Sequence, residues 1–202
     1  MLFLSQPHEL DNNAFLVTHN KTYSYNDIFK IGDTIFPNRN KEIVLILCDK
    51  DVETITSYVA TIRHNKIPLL VDKNYKLGLI LSFIENYQPN YILSSSAFES
   101  NFEGYTLKIK GDFYIYSRDE VLTTDIYDEL ALLIPTSGST GDPKCVRISD
   151  KNIDTCTQSI CEYLDFDESR VSISVLPIHY SFGLSVLHNT IFKRSKYVIS
   201  KS

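Results

Sequence analysis

Apolar positions along this chain switch between two periods, and the switches predict its elements. Ile43 to Cys48 and Ile67 to Val71 are short, continuous, β-branched and aliphatic runs, a pattern that suits strands buried on both faces. Between them Val52, Ile55, Val59 and Ile62 recur at helical spacing behind Asp51, a natural N-cap. Together these segments predict a βαβ unit. A second helix over Leu77 to Asn86 leads through Pro89 to a strand at Tyr91 to Ser94. Tyr105 to Ile109 and Phe113 to Tyr116 flank Lys110-Gly111-Asp112 and predict a hairpin or an edge-strand excursion. Leu130 to Ile134 and Val146 to Ile148 predict strands entering and leaving a polar loop. After Ser149 a capped helix carries Ile153, Ile160 and Leu164 on one side, and Val171 to Val175 predicts a further strand. The fold class is α/β, with mostly parallel sheets and covering helices. No repeat, low-complexity tract or linker interrupts the pattern.

Composition narrows the classes. A chain of 202 residues with 43% hydrophobic content buries a real core and is not of disordered type. The net charge of −5, with lysines and arginines scattered among acids, gives no electrostatic footprint for nucleic acid. The first residues lack a basic n-region and a sustained apolar core, and no later run has the length of a membrane span, so the expected location is cytoplasmic. Cys48, Cys145, Cys156 and Cys161 form no C-x-x-C pair and have no matching histidine spacing, and read as reduced thiols rather than a zinc or redox site.

The chemistry concentrates in Leu132 to Ser149, LLIPTSGSTGDPKCVRIS, a hydroxyl-and-glycine loop with one lysine between two strands. Gly138 and Gly141 free the backbone to bring N–H groups close to an anion. Thr136, Ser137, Ser139 and Thr140 add hydroxyl donors, and Lys144 adds a mobile cation. These are properties of a phosphate-holding loop. The spacing is not that of a Walker A motif, since Pro143 and Cys145 flank the lysine, and Gly138 to Gly141 is one residue short of a serine-hydrolase elbow.

The string T-S-G-S-T-G-x-P-K resembles the phosphate loop of the adenylate-forming, AMP-binding superfamily, which includes acyl-CoA synthetases, peptide-synthetase adenylation domains and luciferase. Thr22 to Ile28, TYSYNDI, resembles an early segment of that family and also spells a capping box from Ser24 to Asp27. Arg63 to Tyr75, RHNKIPLLVDKNY, is similar to a family strand and loop ending in P-L-D, and Asp72 there is read as the cap of the following helix. Leu176 to Leu184, LPIHYSFGL, resembles the segment that lines the acyl and nucleotide pocket. In its register Tyr180 takes the place of the histidine or aromatic beside the substrate carboxylate and α-phosphate, with His179 one residue earlier. Cys145 stands where most relatives carry glycine, and sequence leaves open whether it crowds the loop or packs behind it.

The resemblance implies an ATP-dependent, carboxylate-activating ligase that uses ATP and Mg2+. It assigns Thr136, Ser137, Gly138, Ser139, Thr140, Gly141, Lys144 and His179 to cofactor binding and Lys144, Thr140 and Tyr180 to catalysis, with the Thr140 hydroxyl nearest the metal. A carboxylic acid is the implied substrate, and CoA or a phosphopantetheinyl carrier protein the implied thiol acceptor. Members of the superfamily run far longer than 202 residues. The expectation is therefore that residues 1–202 form an incomplete N-terminal AMP-binding domain without the C-terminal lid, inactive alone, with the remainder of the enzyme as a possible partner. The alternative is a non-catalytic nucleotide-binding or assembly fragment complemented by a separate chain, or a degenerate remnant.

Overall fold

The computed structural model describes residues 12–98, 102–122, 125–136 and 143–200. The described chain opens with β1 (Ala14–Val17), β2 (Thr22–Ser24) and α1 (Tyr25–Gly32). The capping box forms as its residues predict: Asp27 N–H donates to Ser24 Oγ at 3.1 Å, and Ser24 N–H donates to Asp27 Oδ2 at 2.9 Å. Those bonds hold the Asp27 carboxyl below its usual range.

The βαβ unit follows as β3 (Ile43–Cys48), α2 (Val52–Arg63) and β4 (Ile67–Asp72), with β3 and β4 parallel over six paired residues. Asp51 caps α2, its Oδ1 accepting from Thr54 N–H at 2.7 Å. Then come α3 (Leu77–Tyr87), β5 (Tyr91–Ser94), the antiparallel hairpin β6 (Tyr105–Lys110) and β7 (Phe113–Arg118), β8 (Leu130–Pro135) and β9 (Cys145–Ser149). These strands make a sheet in the order β6-β7-β5-β3-β4-β8-β9, with β5, β3, β4 and β8 parallel and the flanking pairs antiparallel. Its alternation explains the continuous apolar runs. Val44, Ile46 and Cys48 enter one core cluster, whereas Leu45 and Leu47 enter the other with Ile80 and Phe83 of α3, so each face of β3 is buried.

The chain closes with α4 (Asp150–Tyr163), β10 (Val171–Ile173), α5 (Ser181–Phe192) and β11 (Lys196–Val198). The two strands join β1 and β2 in a second sheet of order β10-β11-β1-β2. Helices α1, α2 and α5 share one apolar cluster with residues of both sheets, among them Leu16, Ile28, Tyr58, Leu187 and Tyr197. Polar bonds fix that junction: Tyr25 O–H reaches Thr190 O and Ser195 O at 3.1 and 2.9 Å, and Tyr58 Oη meets His188 Nε2 at 2.6 Å.

The structure departs from the sequence expectations in three places. Asp72 does not cap α3, whose N-cap is Lys76 without a side-chain bond, because Asp72 Oδ1 is taken by Asn74. Helix α4 buries Ile153, Thr157 and Cys161, an i, i+4, i+8 stripe, and leaves Leu164 54% exposed. Strand β10 stops at Ile173, two residues before the predicted end.

Candidate active site at the carboxyl edge of the parallel strands

Parallel strands end together, and here their carboxyl ends carry the candidate chemistry. In register, Cys48 of β3 pairs with Asp72 of β4, while Leu69 of β4 pairs with Leu133 of β8. Asp72 and Thr136 therefore leave neighbouring strands at the same edge, where α/β folds place their ligands. A separate cavity, lined by Lys41, Asn65, Lys66, Ile67, Leu130 and Asp150, opens at the opposite edge, where β4 and β8 begin.

The glycine-hydroxyl loop is strung between β8 and β9. Pro135 pairs with Cys145, and beyond that pair Thr136 N–H donates to Lys144 O at 2.8 Å, with Thr136 Oγ1 at 3.3 Å from the same carbonyl. These bonds close the neck of the loop and leave Thr136 and Lys144 exposed beside each other. Ser137, Gly138, Ser139, Thr140 and Gly141 lie outside the described residues.

Cys145 packs behind this neck. Its side chain lies against the cluster that holds Phe83 and Leu133, and burial pushes the thiol up to about 11. The Tyr87 hydroxyl beside it is pushed up to about 12 by burial and donates to Pro143 O at 3.4 Å, tying α3 to the loop. A neutral thiol at neutral pH fills the place of the usual glycine without presenting a nucleophile.

The second arm of the site enters from the turn before α5. Tyr180 N–H bonds Pro177 O at 3.2 Å, and the turn is so tight that a Cβ on Gly183 would lie 2.4 Å from Pro177 O. This turn buries His179 and leaves Tyr180 50% exposed, with their ring centroids 4.2 Å apart. His179 Nε2 lies 3.7 Å from Asp72 Oδ2. Burial holds the His179 pKa below its ordinary value, and the Asp72 carboxylate partly opposes that shift. Tyr75 interacts electrostatically with Asp72 and Tyr180, and burial raises its hydroxyl pKa. Thr136 is thus brought to Lys144, and His179 to Tyr180. Asp72, read from sequence as a cap, is the functional candidate that sequence reasoning missed, and its position at the carboxyl end of a buried strand was the available signal.

The model of the AMP-binding enzyme family matches residues 38–202. This chain belongs to the AMP-binding enzyme family. It is 27% identical over 152 residues to a D-alanine--D-alanyl carrier protein ligase of Streptococcus pyogenes, covering 73% of this chain and 30% of that protein. With bacitracin synthase 2 of Bacillus licheniformis it shares 24% identity over 132 residues, 65% of this chain and 5% of that one. Among solved structures, the o-succinylbenzoate coenzyme A synthetase of Bacillus subtilis in complex with ATP and magnesium superposes with a TM-score of 0.78 at 20% identity, covering 98% of this chain and 56% of its own. Apo MatB from Rhodopseudomonas palustris gives a TM-score of 0.73 at 17% identity, covering 98% and 44%. At these identities the structural likeness speaks for the fold. The chain spans about half the length of these solved structures and 30% or less of the curated relatives. No helix among the described residues is long and apolar enough to cross a membrane.

Proposed function

We propose that this chain supplies the phosphate-binding part of an ATP-dependent ligase that activates a carboxylate as an acyl- or aminoacyl-adenylate and passes it to a thiol. The observation that carries the reading is the pairing of Thr136 with Lys144, the two ends of the string T-S-G-S-T-G-x-P-K, on the carboxyl edge of the parallel strands. Lys144 and the loop hydroxyls then serve the β- and γ-phosphates, and His179 and Tyr180 serve the side where carboxylate and α-phosphate meet. ATP supplies the electrophilic phosphorus and the pyrophosphate leaving group. The chain's own contribution is fixed donors placed where charge accumulates, the arrangement on which phosphoryl chemistry depends. Magnesium would be carried in on the triphosphate, with the Thr140 hydroxyl as the loop group that would help to hold it, and would neutralise charge on the phosphates. The acceptor is CoA or a phosphopantetheinyl carrier protein, in keeping with the carrier-protein ligase and coenzyme A synthetase among the relatives. We place the reaction in the cytoplasm, and residues 1–202 in the N-terminal AMP-binding domain.

A second reading, an assembly fragment that works only when complemented, is favoured by one observation. Val171, Ile173 and Val175 point outward at 61, 53 and 66% exposure, whereas Ser172 and Ser174 are buried. This inverts the usual edge-strand pattern and leaves an apolar strip for further polypeptide to cover.

The test is ATP-dependent pyrophosphate exchange across a panel of carboxylic acids, with this chain alone and together with its adjoining genomic coding sequence. Exchange in either form, lowered by roughly one to two orders of magnitude in Lys144→Ala through loss of a charge-assisted contact of about 1.5 to 3 kcal/mol, supports the ligase reading. Exchange that Lys144→Ala leaves unchanged would refute the loop assignment, and exchange in neither form favours the assembly reading.

A further inference from the structure

The carboxylate of Asp72 is oriented from one side. Its Oδ1 accepts from both Asn74 N–H at 2.9 Å and Asn74 Nδ2–H at 3.0 Å, an Asx turn that occupies this oxygen and fixes the carboxylate plane. Oδ2 is left facing His179 Nε2 at 3.7 Å. His179 is only 8% exposed, and neither ring nitrogen finds a hydrogen-bond partner among the described residues. Such a group is rare in folded proteins, because a buried polar atom without a partner has given up water for nothing. Its described titratable neighbours are Asp72 at the end of β4 and Tyr180 at the start of α5, and Tyr75 interacts electrostatically with both of them.

We propose that Asp72 is a positioning residue for His179. The carboxylate selects the tautomer with the proton on Nε2 and sets the tilt of the ring, so that Nδ1 is the buried atom left to meet a bound substrate. When that substrate presents an anionic oxygen, the ring takes up one proton from solvent. It then carries a proton on both nitrogens, the Nε2–H facing the Asp72 carboxylate and the Nδ1–H donating to the anion. Asp72 thus opposes the desolvation that otherwise keeps the ring neutral. Asn74 holds Asp72 as Asp72 holds His179, a chain of orientation like that behind many reactive histidines. The inference rests on the proposed function only for the identity of the anion, a phosphate or carboxylate of the adenylation reaction.

The test is a pH titration of the imidazole 15N resonances in the full chain, wild type beside Asp72→Asn and Asn74→Ala. Wild type is expected to show the Nε2–H tautomer at neutral pH. Asp72→Asn, which keeps the shape and the Asx turn, is expected to lower the His179 midpoint further and to mix the tautomers. Asn74→Ala should move both in the same direction by less, and it serves as the readout if Asp72→Asn fails to fold. An unchanged midpoint and tautomer in the folded variants would overturn the positioning role. If the Asp72 effect is present but pyrophosphate exchange never appears with the adjoining sequence, the ligase reading falls and the positioning role stands.

Discussion

The two sheets of this protein use the same alternation to opposite ends. In the larger sheet the alternate residues of β3 enter two different apolar clusters, and Leu45 and Leu47 are as completely buried as Val44. In the smaller sheet β10 alternates too, but Ser172 faces inward and Val171 and Ile173 face out. Period 2 dictates which residues share a face, and only packing decides which face is core. The larger sheet is therefore a finished platform for the loop and for Asp72. The smaller one carries α5 and the His179 turn on one side and keeps an apolar strip open on the other.

Breaking the platform should have the largest effect. Leu45→Ala, at a position with no exposure, is expected to cost about 2–5 kcal/mol and to lower the urea midpoint accordingly. Gly183→Ala comes next, at about 1–3 kcal/mol, because its Cβ would meet two backbone carbonyls that cannot step aside. The same substitution should move the His179 resonances, since the turn that buries His179 must shift.

Acid probes the junction between the sheets. Burial pushes His188 down to about 3 from an ordinary 6.5, so the unfolded chain binds its proton first. Stability is then fully present above about pH 6.5 and is lost as pH falls through the window between 6.5 and 3, with about 2 kcal/mol gone at pH 5 from His188 alone. His64 and His179 are shifted in the same direction and deepen the loss. Thermal melts from pH 7 to pH 5 should show a falling Tm, and a flat profile would mean that His188 is not buried as neutral imidazole. The smallest expected effect is at β10, where Ile173→Ser should change stability by no more than about 0.5 kcal/mol yet reduce self-association in sedimentation. If Ile173→Ser costs as much as Leu45→Ala, the outer face of β10 is covered in solution and the contrast between the sheets disappears.

Legibility in the sequence followed the range of the interactions. The β3-α2-β4 unit was readable because each element carries its own period and its own cap, Asp51 included. The loop was readable because its glycines, hydroxyls and lysine are contiguous. Of the smaller sheet only β10 was, since β1 is four residues long and finds its partner β11 near the other end of the chain, with Leu16 set against Tyr197. The stripe of α4 was obscured because Thr157 and Cys161 are not residues that announce a buried face. Asp72 looked like a cap because an acid before a helix usually is one, and only the fold brings His179 to it.

The phosphate-holding role of the loop can be tested directly by titrating the 15N-labelled chain with magnesium-ATP. Amide shifts concentrated from Thr136 to Lys144 and at His179 and Tyr180, and abolished by Lys144→Ala, are the predicted result. Shifts that avoid this edge, or that survive Lys144→Ala unchanged, would contradict it.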